Sequence, residues 1–225
     1  MKKILVVLTN ATRYQGTTDA TGLWLGEATE FVEEVTKQGF EVDYVSPKGG
    51  FVPLDPRSLK YADEATFSIY ESEDFQNRAL KYSMQPKDVN PNEYMAIYYT
   101  GGHGVMWDFP HNLELQQLSL AIYNNGGYIT SVCHGIAGLL HIKDTNGNYL
   151  IQNKKITGFT TTEELLSGKK SIVPFLNIDI ANKNGAIFQK VRAFRSFVVQ
   201  DGRLITGQNP FSTKAVAQTL LANLK

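Results

Sequence analysis

The stretch Tyr128-Ile129-Thr130-Ser131-Val132-Cys133-His134-Gly135-Ile136-Ala137-Gly138-Leu139-Leu140-His141 constrains the fold more than any other. Tyr128 to Val132 is a short apolar, β-prone run. It breaks at Cys133-His134-Gly135, and small residues and leucines at helical spacing follow. A strand, a tight turn and a helix in that order make an elbow. Such an elbow lifts its central side chain clear of the sheet edge, toward the positive end of the next helix, where a thiol ionises more readily. The residue so placed is Cys133, the only cysteine in the chain. Taken alone, a single cysteine is usually inert packing. Gly135, which permits the turn, and His134, a second titratable group, bring catalysis level with packing on the local pattern.

The rest of the chain reads as the α/β surroundings such an elbow needs. Ile4 to Leu8 is a continuous apolar run, as expected of a central parallel strand buried on both faces. It is too short for a signal sequence and leads directly into polar Thr9-Asn10. Gly22 to Val35 has helical periodicity through Leu25, Ala28, Phe31, Val32 and Val35, and Phe40 to Pro47 gives a second strand. Glu27 lies near the start of that helix, at the end facing the carboxyl edge of the strands, where ligands bind in a doubly wound sheet. An ordinary first-turn acid favoured by the helix dipole is the simpler reading of Glu27 by itself.

Residues 51–90 are less regular, with Pro53, Pro56 and Pro86, and are expected to leave the sheet as a small inserted cap with a helix of its own. Tyr94 to Thr100 is the next strand. It ends in Gly101-Gly102-His103-Gly104, whose backbone N–H groups are free to approach a ligand closely. Asn112 to Asn124 predicts a helix, Asn153 to Phe159 a short strand, Phe197 to Gly207 a hairpin around Asp201-Gly202, and Ser212 to Leu224 the last helix. Thr160 or Thr161 would cap a helix carrying Glu163 and Glu164, either of which would complete a capping box. Without a linker, repeat or low-complexity tract, residues 1–225 are expected to form one domain.

Composition excludes some partners. The formal net charge is zero and the isoelectric point near 6.9, so neither nucleic acid nor an anionic membrane surface is an expected partner. No apolar stretch approaches the length of a membrane span. One cysteine cannot form an internal disulfide, which fits the reducing cytoplasm.

Four segments in this order resemble the PfpI/ThiJ superfamily, whose fold is that of the class I glutamine amidotransferases. They are Gly22 to Glu27, Thr100 to Gly104, Ser131 to Gly135, and Thr157-Gly158-Phe159-Thr160 with Glu163-Glu164 behind it. Asp201 to Pro210 is similar to the family's closing hairpin. The likeness spans nearly the whole chain and is weakest over 51–90. It is strongest to the branch of glutathione-independent glyoxalases (glyoxalase III, D-lactate dehydratase) and related heat-shock chaperones. It implies a flavodoxin-like, doubly wound, mostly parallel sheet flanked by helices.

For the site, the resemblance implies Cys133 as nucleophile and His134 as its triad partner. The third member best matches Glu164, with Glu163 as the fallback, and Glu27 matches the family's acid from the first long helix. Gly102 and His134 would supply backbone oxyanion-hole donors, and His103 would lie near the substrate. The glutaminases of this fold use a late histidine–glutamate pair, but no histidine follows His141, so glutamine hydrolysis is not expected.

A metal or other cofactor is not expected either, since His103, His111, His134 and His141 show no recognisable ligand spacing. The implied reaction converts a 2-oxoaldehyde such as methylglyoxal to a 2-hydroxy acid, and the implied assembly is a homodimer. A holding chaperone for unfolded proteins, using Trp107, Phe109 and the aromatic excursion, is the alternative. A peptidase or deglycase activity ranks below both.

Overall fold

The apolar runs of the chain settle into one mostly parallel sheet because each is followed by a segment able to cross back over it. The computed structural model describes residues 3–224. In chain order the elements are β1 (Lys3–Val7), α1 (Leu25–Thr36), β2 (Glu41–Val45), α2 (Glu64–Tyr70), β3 (Tyr94–Tyr99), α3 (Val105–Asp108), α4 (Leu113–Asn124) and β4 (Tyr128–Val132). They continue as β5 (Lys155–Ile156), α5 (Thr161–Leu166), α6 (Asn177–Lys183), β6 (Ile187–Phe188), β7 (Val198–Asp201), β8 (Leu204–Gly207) and α7 (Thr213–Asn223).

The main sheet has six strands in the order β2-β1-β3-β4-β8-β7, all parallel except the β7–β8 hairpin. β5 and β6 form a separate parallel pair. No helix among the described residues is long and apolar enough to cross a membrane.

Alternation along the strands divides the core into two layers. Ile4, Val6, Ala96, Tyr98, Val132 and Ile205 face α1 and α7, meeting Phe31, Val35, Val216 and Leu220. Leu5, Val7, Ile97, Tyr99 and Ile129 face the other way, against Leu115, Leu118 and Ile122 of α4 and Ile136 and Leu139 after the elbow. Phe31 stacks on Tyr98 with ring centroids 3.6 Å apart. Helices therefore cover both faces, as in a flavodoxin-like doubly wound sheet, and the carboxyl ends of β1, β3 and β4 open toward one edge.

Three local expectations are corrected. α1 begins at Leu25, because Gly22 to Trp24 is extended and pinned on both sides. Leu23 N–H donates to the Pro53 carbonyl (2.8 Å), Asp55 N–H to the Leu23 carbonyl (2.9 Å), and Trp24 N–H to the Gly101 carbonyl (3.2 Å).

Beyond Cys133 there is no α-helix. Cys133–Gly138 is a six-residue 3₁₀ turn, held flat against β3 because Gly135 and Gly138 both sit on Tyr99. Lastly, Phe109 is fully buried and packs edge-on to Tyr99, while the Trp107 ring packs against Tyr14, so these two do not form an exposed patch.

Residues 51–90 leave the sheet and return through α2 and a π-helical segment, Phe75–Lys81. This excursion lies against α1 and β2, and its first residues run beside Gly22 to Trp24.

The elbow gives a direct stability prediction. A Cβ on Gly135 would lie 2.3 Å from the Tyr99 carbonyl oxygen and 2.7 Å from that of Thr100, both backbone atoms that cannot turn aside. Gly135→Ala is expected to cost at least about 2 kcal/mol. Thermal unfolding checks this as a fall in Tm of about 4–8 °C.

Candidate active site

Cys133 adopts φ +57°, in the left-handed region that few non-glycine residues enter. β4 ends at Val132 and the chain turns at once, so the thiol is held at the sheet's carboxyl edge by backbone geometry. Its surroundings come from four other segments. The Cys133 thiol donates to His134 Nδ1 (3.3 Å), His134 Nε2–H donates to Glu164 Oε2 (2.8 Å), and His103 Nε2–H donates to Glu164 Oε1 (2.8 Å). Phe159 packs on the His134 ring at 4.2 Å. All of these polar groups are buried: Cys133 is 3 % exposed, His134 1 %, Glu164 3 % and His103 4 %.

The two adjacent acids of α5 are divided between structure and site. Thr160 caps the helix and Glu163 closes the capping box, with Oε2 accepting from the Thr160 N–H and hydroxyl. Glu163 Oε1 accepts from Phe194 N–H, Gln208 Nε2 and Asn209 Nδ2. Glu163 is thus consumed in tying α5 to the segment before β7 and the loop after β8. Glu164, one residue on, is the acid bonded to His134. The two imidazoles hold its carboxyl well below the usual carboxylate range against the opposing effect of burial.

Glu27 approaches from the first turn of α1. Gly101 N–H donates to its Oε2 at 2.6 Å, while Oε1 is buried without a conventional partner on the Cys133 side. Gly101 has to be glycine here, since a Cβ would lie 2.5 Å from Glu27 Oε2 and 3.0 Å from Cys133 Cβ. Burial pushes the Glu27 carboxyl up to about 8.

Burial also pushes the Cys133 thiol up, and Glu27 adds to the effect while the His134 backbone N–H opposes it. The expectation of a thiol ionised by a following helix is therefore corrected. A short 3₁₀ turn has little dipole to offer, and the resting group is a thiol. Gly102, at φ +101°, has an N–H that donates to no group among the described residues, as an oxyanion donor needs.

A carboxyl with a raised pKa makes stability pH-dependent. Between pH 4.5 and about 8 the folded protein holds a proton on Glu27 that the unfolded chain has lost, so stability falls as pH rises through that window. The contribution is at most roughly 5 kcal/mol. Glu27→Gln is expected to flatten this part of the curve, so that its stability relative to wild type improves from pH 5 to pH 8. Urea titrations at both values check the difference.

The histidines are not scattered. His103 and His134 have ring centroids 4.2 Å apart, and His111 and His141 4.8 Å. The donor atoms of His103, His134 and Glu164 lie within 4.8 Å of one another. With Glu164 accepting from both rings, each Nε2 carries a proton in this arrangement, and a metal would have to displace both.

Sequence reasoning missed Tyr14, Asp55 and Arg57. Arg57 Nη2 gives one hydrogen to Asp55 and shares the other between the Tyr14 hydroxyl and His103 Nδ1, 3.1 Å away. No sequence signal ties these three residues to the site.

Two clefts, of 640 and 550 Å³, lie along the loop after β1. Neither is lined by Cys133.

The whole chain is similar to known proteins. The model of the DJ-1/PfpI family matches residues 20–223. The glutathione-independent glyoxalase HSP31 of Saccharomyces cerevisiae is 36 % identical, with 100 % of this chain and 98 % of that protein covered. Glyoxalase 3 of Candida albicans is 34 % identical over 99 % and 98 %. The crystal structure of glyoxalase III from Candida albicans superposes with a TM-score of 0.87 at 32 % identity, covering 98 % of this chain and 96 % of that one. That of the Francisella tularensis Rapid Encystment Protein 24 KDa gives 0.96 at 36 % identity, covering both chains completely.

Proposed function

The chain belongs to the DJ-1/PfpI family, and from that premise we propose that it is a glutathione-independent glyoxalase converting methylglyoxal, or a similar 2-oxoaldehyde, to the 2-hydroxy acid. The observation that carries the reading is the buried chain of Cys133, His134 and Glu164 with Glu27 beside the sulfur. A thiol 3 % exposed suits a three-carbon aldehyde and not an extended peptide strand.

His134 Nδ1 takes the thiol proton as sulfur adds to the aldehyde carbon, and the carbonyl electrons pass to oxygen. The Gly102 and His134 N–H groups receive that oxyanion, which is then protonated to a hemithioacetal. The group that gives the oxyanion its proton, Glu27 or His134, is thereby left as a free base and next removes the proton from the same carbon. The freed electron pair forms the enediol. Protonation at the neighbouring carbon and return of the first carbonyl give a thioester. Water hydrolyses it, releasing lactate and the thiol. The oxidation of one carbon equals the reduction of the other, so no external oxidant or reductant is needed.

Methylglyoxal and a chromogenic peptide amide, offered separately to the purified protein, test the reading. Consumption of the aldehyde with the peptide intact is expected; peptide cleavage with the aldehyde untouched would overturn it.

Cytoplasmic residence and a homodimer belong to the same proposal, and cell fractionation and sedimentation equilibrium check them. A second role in holding unfolded proteins is supported by Phe51, Tyr61 and Tyr82 of the excursion, each at least 65 % exposed. It predicts suppression of client aggregation that survives loss of the Cys133 thiol.

A further inference from the structure

We propose that Arg57 is a positioning residue which, through His103, fixes where the protons sit in the Glu164–His134–Cys133 chain. The inference rests on the glyoxalase reading for its kinetic consequence, though not for its chemistry.

A guanidinium can only donate. Arg57 Nη2 has two hydrogens, one given to Asp55 Oδ2 and the other shared between the Tyr14 hydroxyl and His103 Nδ1 at 3.1 Å. His103 Nδ1 therefore meets a donor with its lone pair, and the one proton of the neutral ring is left on Nε2. That proton is given to Glu164 Oε1 at 2.8 Å. Glu164, accepting there and from His134 Nε2–H, stays a carboxylate, and His134 Nδ1 keeps its lone pair toward the thiol. If His103 carried its proton on Nδ1 instead, its Nε2 lone pair would face Glu164 Oε1, and a proton would have to move onto the carboxyl. A neutral Glu164 no longer stabilises the imidazolium that His134 becomes when sulfur attacks.

Arg57 is itself held rigidly. Asp55, wholly buried, accepts from Arg57 Nε (3.0 Å), Nη2 (2.7 Å) and backbone N–H (2.9 Å), and from the Thr21 hydroxyl (3.0 Å). The pairing of Asp55 N–H with the Leu23 carbonyl fixes this unit to the segment leading into α1. Asp55 also offsets part of the charge, so Arg57 serves chiefly as a donor to His103.

The other groups around His103 fit the same picture. Tyr14 lies 5.5 Å away ring to ring, with Lys169 over its ring at 4.5 Å, and His134 lies at 4.2 Å. Burial, His134 and Arg57 together lower the His103 pKa to about 4 against the pull of Glu164, so the ring remains neutral through the working range. Loss of Arg57 removes both the tautomer lock and one of the groups opposing protonation. His103 would then charge at a higher pH and oppose the protonation of His134.

Arg57→Met, Arg57→Lys and wild type are compared by kcat and KM for methylglyoxal from pH 5 to 9, and by ¹⁵N NMR of the histidine rings. The expected result for Arg57→Met is a kcat about tenfold lower, with the acid limb about one pH unit higher and KM little changed. Arg57→Lys, which retains a donor, should recover part of both. In wild type the His103 ring should carry its proton on Nε2 and stay neutral down to pH 5.

An equal loss at every pH, or a rise in KM alone, would mean a structural or substrate-binding role and overturn the proposal. So would a wild-type His103 protonated on Nδ1. The NMR result stands without turnover. If wild type formed no lactate while the ring showed the expected tautomer, the glyoxalase reading would fail and the Arg57 proton arrangement would not.

Discussion

Cys133→Ser is expected to lower kcat/KM for methylglyoxal by at least about 10³-fold while leaving the protein as stable as wild type. Serine fits the same volume and the same left-handed backbone, so nothing in the packing changes. What changes is the nucleophile. A hydroxyl gives up its proton far less readily than a thiol, and His134 Nδ1, at 3.3 Å from the sulfur, would have to remove it in a site that already disfavours charge.

The raised thiol carries a second, independent expectation. Burial and Glu27 both oppose ionisation of Cys133, so alkylation of the wild-type thiol should be slow at pH 7 and keep rising with pH beyond the range where a free cysteine levels off. Alkylation that was fast and flat from pH 6 upward would mean a resting thiolate, and sulfur would then need no base in the first step.

Glu164→Gln is expected to lower kcat by about 10²–10⁴-fold with a smaller effect on KM. The amide has one oxygen and one NH₂, so it accepts from only one of the two rings that now donate to Glu164. The other ring meets an N–H and must turn its proton to the opposite nitrogen. If that ring is His134, its Nδ1 is capped and the thiol proton has nowhere to go. The residual activity should also lose its normal pH dependence. Nearly full activity in Glu164→Gln would show that His134 does not work through this carboxylate.

How far the site could be read from sequence depended on whether its determinants were local. β1, β3 and β4 are apolar runs with no competing pattern, and the elbow announces itself through Gly135 beside Cys133 and His134. The helix expected after the elbow does not form, because two glycines pressed against Tyr99 favour contact with the sheet over helical continuation. Gly22 to Trp24 has helical periodicity yet is extended, since its backbone partners come from Pro53, Asp55 and Gly101, far along the chain.

Glu163 and Glu164 could not be separated while the cap was open between Thr160 and Thr161. With Thr160 as cap, Glu163 occupies the box position and Glu164 is the acid left over. Asp55 and Arg57 sit in a proline-bounded stretch without periodicity, so their place beside His103 is purely tertiary.

Lactate formation from methylglyoxal as the only added substrate, by purified wild-type protein with no glutathione and a chelator present, tests the central claim most directly. The account predicts one lactate for each methylglyoxal consumed. Methylglyoxal left unconverted by a folded protein whose Cys133 still titrates as one free thiol would contradict it.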